Sequence, residues 1–463
     1  MSNGFRRDRP PRTALCYPPT LAVTVMPPLG LGYLAACAEA AGFPVDLYDL
    51  AGGRWRRAAF PQMIAAQDYD IVGLSVMTPN YQTGRELARA IRRAHPRVKL
   101  VLGGPHPSVF PERSLREFDA DFVVEKEAER TFPALLQSLA TGADPVGRVP
   151  GVWAWRDGKL AGLPAPPPPE LDELPWPAWH KLAPHRYPPI PHQLFVRALP
   201  VAPILTSRGC PMGCSFCATS YLFGKKIRTR AVADVVEEMR FLRDRFGIRE
   251  LHFEDDNLCL DRRHAVALFE ALARARLGVW LKCPNGLQTS ALDRELLRLL
   301  KAAGCYQISL GIETTAESAL EHEQKLLPVA EVSRVVAEAK SVGLEVQGLF
   351  VVGLPYDSSA GVHRTVRDAI AMGLDLAHFG VFIPLPGSER GDLLAGCDVG
   401  TVNFFTPHVA YPHLSPRRLR ALQRWAILRF YLRPRPVWKL LTLFKWRQLK
   451  GVVNLFRRYL LGF

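Results

Sequence analysis

Beyond Asp398 the chain has no acidic residue, and nowhere does an apolar run reach the ~18 residues that a membrane-crossing helix needs. The missing span points to a soluble or peripheral protein. Cysteine is scarce, nine in 463 residues, and no secretory leader is legible before it, so a cytoplasmic protein without a disulfide framework is expected. Thiolates kept reduced stay available for metal. The net charge of +15 is local: thirteen arginines and lysines from Arg417 to Arg458 account for nearly all of it, and the rest of the chain is close to neutral. The length implies two or three domains, each able to bury a core.

From Thr13 to about Thr141 the apolar runs TALCY, VDLYDL, DIVGLSVM, VKLVLGG and DFVVE alternate with helical patterns such as LGYLAACAEA and GRELARAIRRA. That alternation predicts a doubly wound, five-stranded parallel sheet that binds its ligand at the C-terminal strand ends. Gly151 to Leu163 reads as a small hairpin turning at Asp157 and Gly158, and APPPPELDELPWPAW as an extended linker. A second series runs from Pro203 to about Pro386, with PILTSR, ELHFEDD, VWLKC, YQISLGIE, EVQGLFVVG and LAHFGVFI as strands; six repeats suit an open, partial (β/α)6 barrel. From about Ser415 the chain turns to Arg, Leu, Phe and Trp, with apolar residues at helical spacing and basic ones between them.

The densest chemistry lies in SRGCPMGCSFCATS, where Cys210, Cys214 and Cys217 follow a strand at spacings of four and three. Soft thiolates on a short loop suit zinc or an iron–sulfur cluster. No fourth ligand with zinc-site spacing follows. Three ligands on a four-iron cluster leave one iron open to a small molecule.

CPMGCSFC, with the aromatic Phe216 before its third cysteine, resembles the CxxxCxxC motif of the radical S-adenosylmethionine (SAM) superfamily. The resemblance implies a [4Fe-4S] cluster that binds SAM through the open iron and an electron that cleaves the sulfonium to a 5′-deoxyadenosyl radical. It also implies an external electron donor of the flavodoxin or ferredoxin type. HFEDDN, GIET and GLFVVGLP resemble later strand motifs of that superfamily, which places Glu254, Asp255, Glu313, Leu349 and Val351 beside SAM. Gln288 stands where many relatives carry arginine, so no cation is expected from that strand. The remaining cysteines read as small core residues, with Cys283 and Cys305 positioned to give up a hydrogen atom if they face the barrel interior.

MPPLGLGYLAA, VGLSVMT and LGGPHPSVFPE resemble the cobalamin-binding domain of the B12-binding radical-SAM class, in that class's domain order. The resemblance assigns Ser75, Thr78, Gly103, Gly104, His106 and Glu127 to cobalamin. DxHxxG is missing, so no histidine ligand to cobalt is expected. In DFVVEKEAERTF, Lys126 and Ala128 replace the glycines that the class usually has between its acidic residues.

The expected organisation is a basic extension (1–12), a cobalamin-binding Rossmann-like domain (13–145), a hairpin and Pro-rich linker (146–200), a radical-SAM partial barrel (201–395) and a basic amphipathic, helical C-terminal region (396–463). The expected reaction is methyl transfer to an unactivated carbon of a small-molecule or lipid-like substrate, with an oxidative or ring-forming reaction as the alternative. The apolar side of the tail suits the surface of a membrane better than RNA.

Overall fold

The computed structural model describes residues 9–20, 25–52, 57–190, 195–325, 327–403, 405–411, 413–443, 446–449, 453 and 457. Most of the expected N-terminal extension and much of the tail beyond residue 443 lie outside them. The chain divides into two compact units: the first is chiefly Pro27–Ala183 with the N-terminal strand and Asp398–Thr401, the second Pro184–Cys397 with the chain from Val402 onward.

The first unit is built on β1 (Thr13–Tyr17), β2 (Val45–Asp49), β3 (Ile71–Ser75), β4 (Lys99–Gly103), β5 (Phe122–Val124), β6 (Val152–Arg156) and β7 (Lys159–Gly162), in the order β2-β1-β3-β4-β5-β6-β7. The first five are parallel. Helices pack on both faces, so the central strands read as continuous apolar runs. The helix Tyr81–Ala94 buries Tyr81, Gly84, Leu87, Ala88 and Ile91, at spacings of three and four.

The hairpin that the sequence groups with the linker belongs to this sheet. β6 pairs antiparallel with β5, and β7 with β6. Val152 and Ala154 face the core, and Trp153 donates from Nε1 to Glu125 at 3.0 Å. The hairpin covers the edge that β5 would otherwise expose. Sequence shows the turn but not this long-range pairing.

In the second unit β8 (Val201–Ile204) is followed by β9 (Ser207–Arg208) and β10 (Arg228–Thr229), a short antiparallel pair, and then by β11 (Glu250–Phe253), β12 (Trp280–Leu287), β13 (Cys305–Glu313), β14 (Glu345–Val352) and β15 (Leu376–Val381). The six long strands form one parallel sheet, β15-β14-β13-β12-β11-β8, with two open edges. At the strand starts lies a buried ionic floor. Glu250 accepts from Tyr306 Oη at 2.8 Å and from the amides of Arg197 and Ala198, and it pairs with His252. Lys282 donates to the Phe195 carbonyl at 3.0 Å, and burial pulls its ammonium down to about 8. The opposite, C-terminal ends carry the candidate site.

Among the described residues no helix is long and apolar enough to cross a membrane.

Candidate functional site

The cysteine loop leaves β9 at Gly209, carries Cys210, Cys214 and Cys217, and enters the short helix Thr219–Phe223. All three thiols are free and half-buried. Its base is pinched. Gly209 has φ +94, a Cβ there would run into the Lys226 carbonyl, and Cys210 N donates to Gly224 O at 3.2 Å. Cys217 N donates to Cys214 O at 3.1 Å, closing a tight turn between the second and third cysteines.

Carboxylates brace this loop from outside. Asp256, just beyond β11, accepts from Gly209 N at 3.3 Å and from Thr219 Oγ1 at 3.2 Å, tying the loop's start to its end. Between the cysteines, Ser215 is buried; its hydroxyl donates to Glu323 in a short hydrogen bond and its amide to the Glu323 carbonyl at 3.3 Å. Arg390 completes the strut: its amide donates to Ser215 O at 3.2 Å and its Nε to Glu323 Oε2 at 3.4 Å.

Lys325 supplies a cation. Its Nζ donates to Glu313 Oε1 at 2.7 Å and lies 6.0 Å from the centre of the Phe216 ring. Burial raises the Cys210 and Cys214 thiols, while Lys325 pulls both the other way. Glu313 ends β13 at φ +61, a left-handed conformation that a glutamate adopts only under constraint, and its carboxylate is held toward Lys325. Beside them Gly286 and Gly311 bring β12 and β13 so close that a Cβ on Gly286 would sit 2.8 Å from Gly311 Cα. On β14, Leu349 and Val351 are half-buried while Phe350 and Val352 between and after them are buried, so the first two share the more open face.

Three thiols, a compensating ammonium and a pinched loop suit a polynuclear thiolate cluster. Among the described residues no three His, Cys, Asp or Glu side chains converge on a single-ion site. Each thiolate of a four-iron cluster takes its own iron, so such ligands need not converge.

The other expected residues fall in two groups. Glu254 sits half-buried at the end of β11, its amide donating to Ile204 O at 2.8 Å. Asp255 is 2 % exposed and accepts from Thr206 Oγ1 at 2.7 Å and Ser207 Oγ at 2.6 Å, which ties the end of β11 to the strand before the cysteine loop. Burial raises its carboxyl to about 6, against the pull of those donors. Cys259, Cys283 and Cys305 are all buried in the packed core, where the neighbouring Cys305 and burial push the Cys283 thiol up.

In the first unit the loops after β3, β4 and β5 meet. Val76 N donates to Gly103 O at 2.8 Å, and His106 N to Val76 O at 3.2 Å. Ser108 Oγ donates to Gly104 O at 2.9 Å and accepts from Lys126 N at 2.8 Å. Gly104 has φ +95, and a Cβ on it would meet Val76 O at 2.8 Å and the Ser75 hydroxyl at 3.3 Å. A Cβ on Gly103 would meet only Val124 O, at 3.8 Å, so its bare backbone borders open space. This cradle of glycine backbone with Ser75 at its lip fits a broad flat ligand.

Thr78 and His106 lie deeper than the glycines and Ser75. His106 is wholly buried, Thr78 nearly so; they bond each other at 3.0 Å, and the His106 ring packs on Tyr81 and Phe110. Burial lowers the imidazole to about 4, so it is a neutral support beneath the cradle. Glu127 is half-buried in the loop after β5. Lys126, where glycine was expected, takes φ +58: the backbone keeps the left-handed turn although the residue has changed. Asn80 does unforeseen work, accepting from Met77 N at 2.7 Å to shape the loop after β3.

Comparison with known proteins adds a separate line. Residues 21–136 match the family model described as B12 binding domain, and residues 204–369 that of the Radical SAM superfamily. The cytidylyl-2-hydroxyethylphosphonate methyltransferase of Streptomyces wedmorensis is 30% identical over 417 residues, covering 78% of this chain and 76% of that one. The anaerobic magnesium-protoporphyrin IX monomethyl ester cyclase of Rubrivivax gelatinosus is 28% identical, covering 82% and 69%. The solved structure of TsrM, a radical S-adenosylmethionine methyltransferase from Kitasatospora setae with cobalamin and [4Fe-4S] cluster bound, superposes with TM-score 0.69 at 20% identity over 88% of this chain and 81% of that one. At that identity the likeness is one of fold.

Proposed function

Because this chain belongs to the B12-binding radical-SAM enzymes, with a [4Fe-4S] cluster, S-adenosylmethionine and cobalamin as cofactors, we propose that it transfers a methyl group to an unactivated carbon of a small-molecule or lipid-like biosynthetic substrate. When bound, the cluster and SAM supply a 5′-deoxyadenosyl radical and cobalamin supplies the methyl group. The observation that carries the reading is the braced three-thiol loop with a buried ammonium beside it, in a chain that also carries the glycine cradle.

In this reading Cys210, Cys214 and Cys217 hold the cluster, and Ser215, Glu323, Arg390 and Asp256 fix the loop so that the ligands are preorganised. Lys325 offsets negative charge at the cluster and, with Glu313 and Glu254, orients the polar end of SAM; Leu349, Val351 and Phe216 exclude water from its apolar parts. Ser75, Gly103, Gly104 and Glu127 receive cobalamin, with Thr78 and His106 supporting from beneath. Nine free cysteines suit a reducing, cytoplasmic setting and an external flavodoxin- or ferredoxin-type donor.

The relative that closes a ring favours a second reading, radical oxidation or cyclisation without methyl transfer. Product analysis under anaerobic turnover separates the two. Methyl transfer yields S-adenosylhomocysteine together with 5′-deoxyadenosine; deoxyadenosine without S-adenosylhomocysteine would sink the methyltransferase reading.

A further inference from the structure

The C-terminal segment of the second unit turns the usual amphipathic logic inside out. A helix on a globular protein normally buries its apolar stripe and gives its charges to water. In the helix Pro434–Leu443, Lys439 points inward and pairs with Glu345, at the start of β14, at 2.6 Å; Glu345 also holds Arg197 at 2.7 Å. Pro436 is buried on that side. Outward stand Val437, Trp438 and Leu441, and Trp438 and Leu441 are 69% and 64% exposed. Leu432 before the helix and Trp446 after it are 76% and 81% exposed. Most of the exposed large apolar side chains among the described residues lie between Leu428 and Val453.

Such a patch marks an interaction surface. Its charge selects the partner. From Val399 to the end there is no acidic residue, and Arg429 and Arg435 stand exposed beside the apolar side chains. A second copy would bring the same basic face and be repelled. RNA would use the cations but leave Trp438, Leu441 and Leu432 in water. A bilayer bearing anionic headgroups satisfies both, with Trp at the interface and Leu below it.

We propose that Leu428, Leu432, Val437, Trp438, Leu441 and Trp446, with Arg429 and Arg435 beside them, form a peripheral docking face for an anionic phospholipid surface, with the Lys439–Glu345 ion pair fixing the helix to the barrel so that its apolar side faces the membrane. The docking is separate from catalysis and does not rest on the methyl-transfer reading.

The test uses the full-length holoenzyme and co-sedimentation with vesicles of phosphatidylcholine alone or mixed equally with phosphatidylglycerol. Binding is expected only to the mixed vesicles, falling as salt rises. Trp438→Ser with Leu441→Ser lowers the partition coefficient about tenfold or more, and Arg429→Glu with Arg435→Glu does the same. Both variants keep the wild-type melting temperature and SAM cleavage. No binding, equal binding to phosphatidylcholine, or unchanged binding of either variant overturns the proposal. So does a dimer, or RNA binding, that is lost in the Trp438 and Leu441 variant while vesicles are ignored.

Discussion

The first unit's candidate site is made of backbone and the second's of ionisable side chains. After β3, β4 and β5, glycine at φ +95, main-chain hydrogen bonds and a neutral buried histidine shape a surface with little formal charge of its own. After β9, β11 and β13, thiols, carboxylates and a lysine crowd one loop. A large flat cofactor is recognised by shape, so the first site has few residues whose chemistry is indispensable. A strongly reducing cluster needs thiolates and charge compensation, so the second has several. The two sites therefore fail differently when altered.

The largest effect belongs to the thiolates. Replacing any one of Cys210, Cys214 and Cys217 by alanine abolishes SAM cleavage, read as 5′-deoxyadenosine formed by reconstituted protein, while cobalamin binding, read by its visible spectrum, persists. Glu323→Ala comes next. Removing a buried carboxylate from Arg390 and Ser215 costs about 3 kcal/mol locally, so iron is lost faster to a chelator. Glu323→Gln restores part of that retention.

Gly104→Ala breaks the cradle by shape alone. A Cβ meets the Val76 carbonyl in a left-handed conformation, at a cost of about 1–3 kcal/mol, so cobalamin affinity falls while iron content stays at wild-type level. An equal loss of both cofactors would erase the distinction between the sites.

Acid sharpens the contrast through opposite slopes. His106 titrates near 4 folded and near 6.5 unfolded, so between those values only the unfolded chain takes up the proton, and the first unit loses stability as pH falls. Asp255 titrates near 6 folded and about 4 unfolded, so there the folded form takes up the proton and the second unit gains stability as pH falls, by up to about 3 kcal/mol. Unit-resolved hydrogen exchange reads both slopes, and Asp255→Asn flattens only the second. The smallest effect is Lys126→Gly, which relieves a left-handed lysine and raises stability by about 0.5 kcal/mol, measured as a denaturation midpoint.

Strand and helix alternation, the three-cysteine loop and the glycines after β4 were legible because each depends on local spacing. The braces were not. Glu323 lies 108 residues from Ser215, and no periodicity in LEHEQK marks Glu323 or Lys325 as neighbours of the cysteines. Polar residues at strand ends such as Asp255 and His106 suggest ligand contact, and the sequence does not show how deeply both are buried. The hairpin was visible as a turn, while its pairing to β5 depends on a sheet edge that only the assembled unit presents. Lys126 shows why a missing glycine misleads: the turn survives the substitution.

The central claim is that two independent binding sites lie in this chain, a thiolate cluster loop and a cobalamin cradle. Iron, sulfide and corrinoid analysis of anaerobically reconstituted protein, wild type beside Cys210→Ala/Cys214→Ala/Cys217→Ala, tests it most directly. Wild type should carry about four iron and four sulfide with one cobalamin per chain, and the triple variant should keep the cobalamin while losing the iron. Iron retained by the triple variant, or cobalamin absent from the wild type, would contradict it.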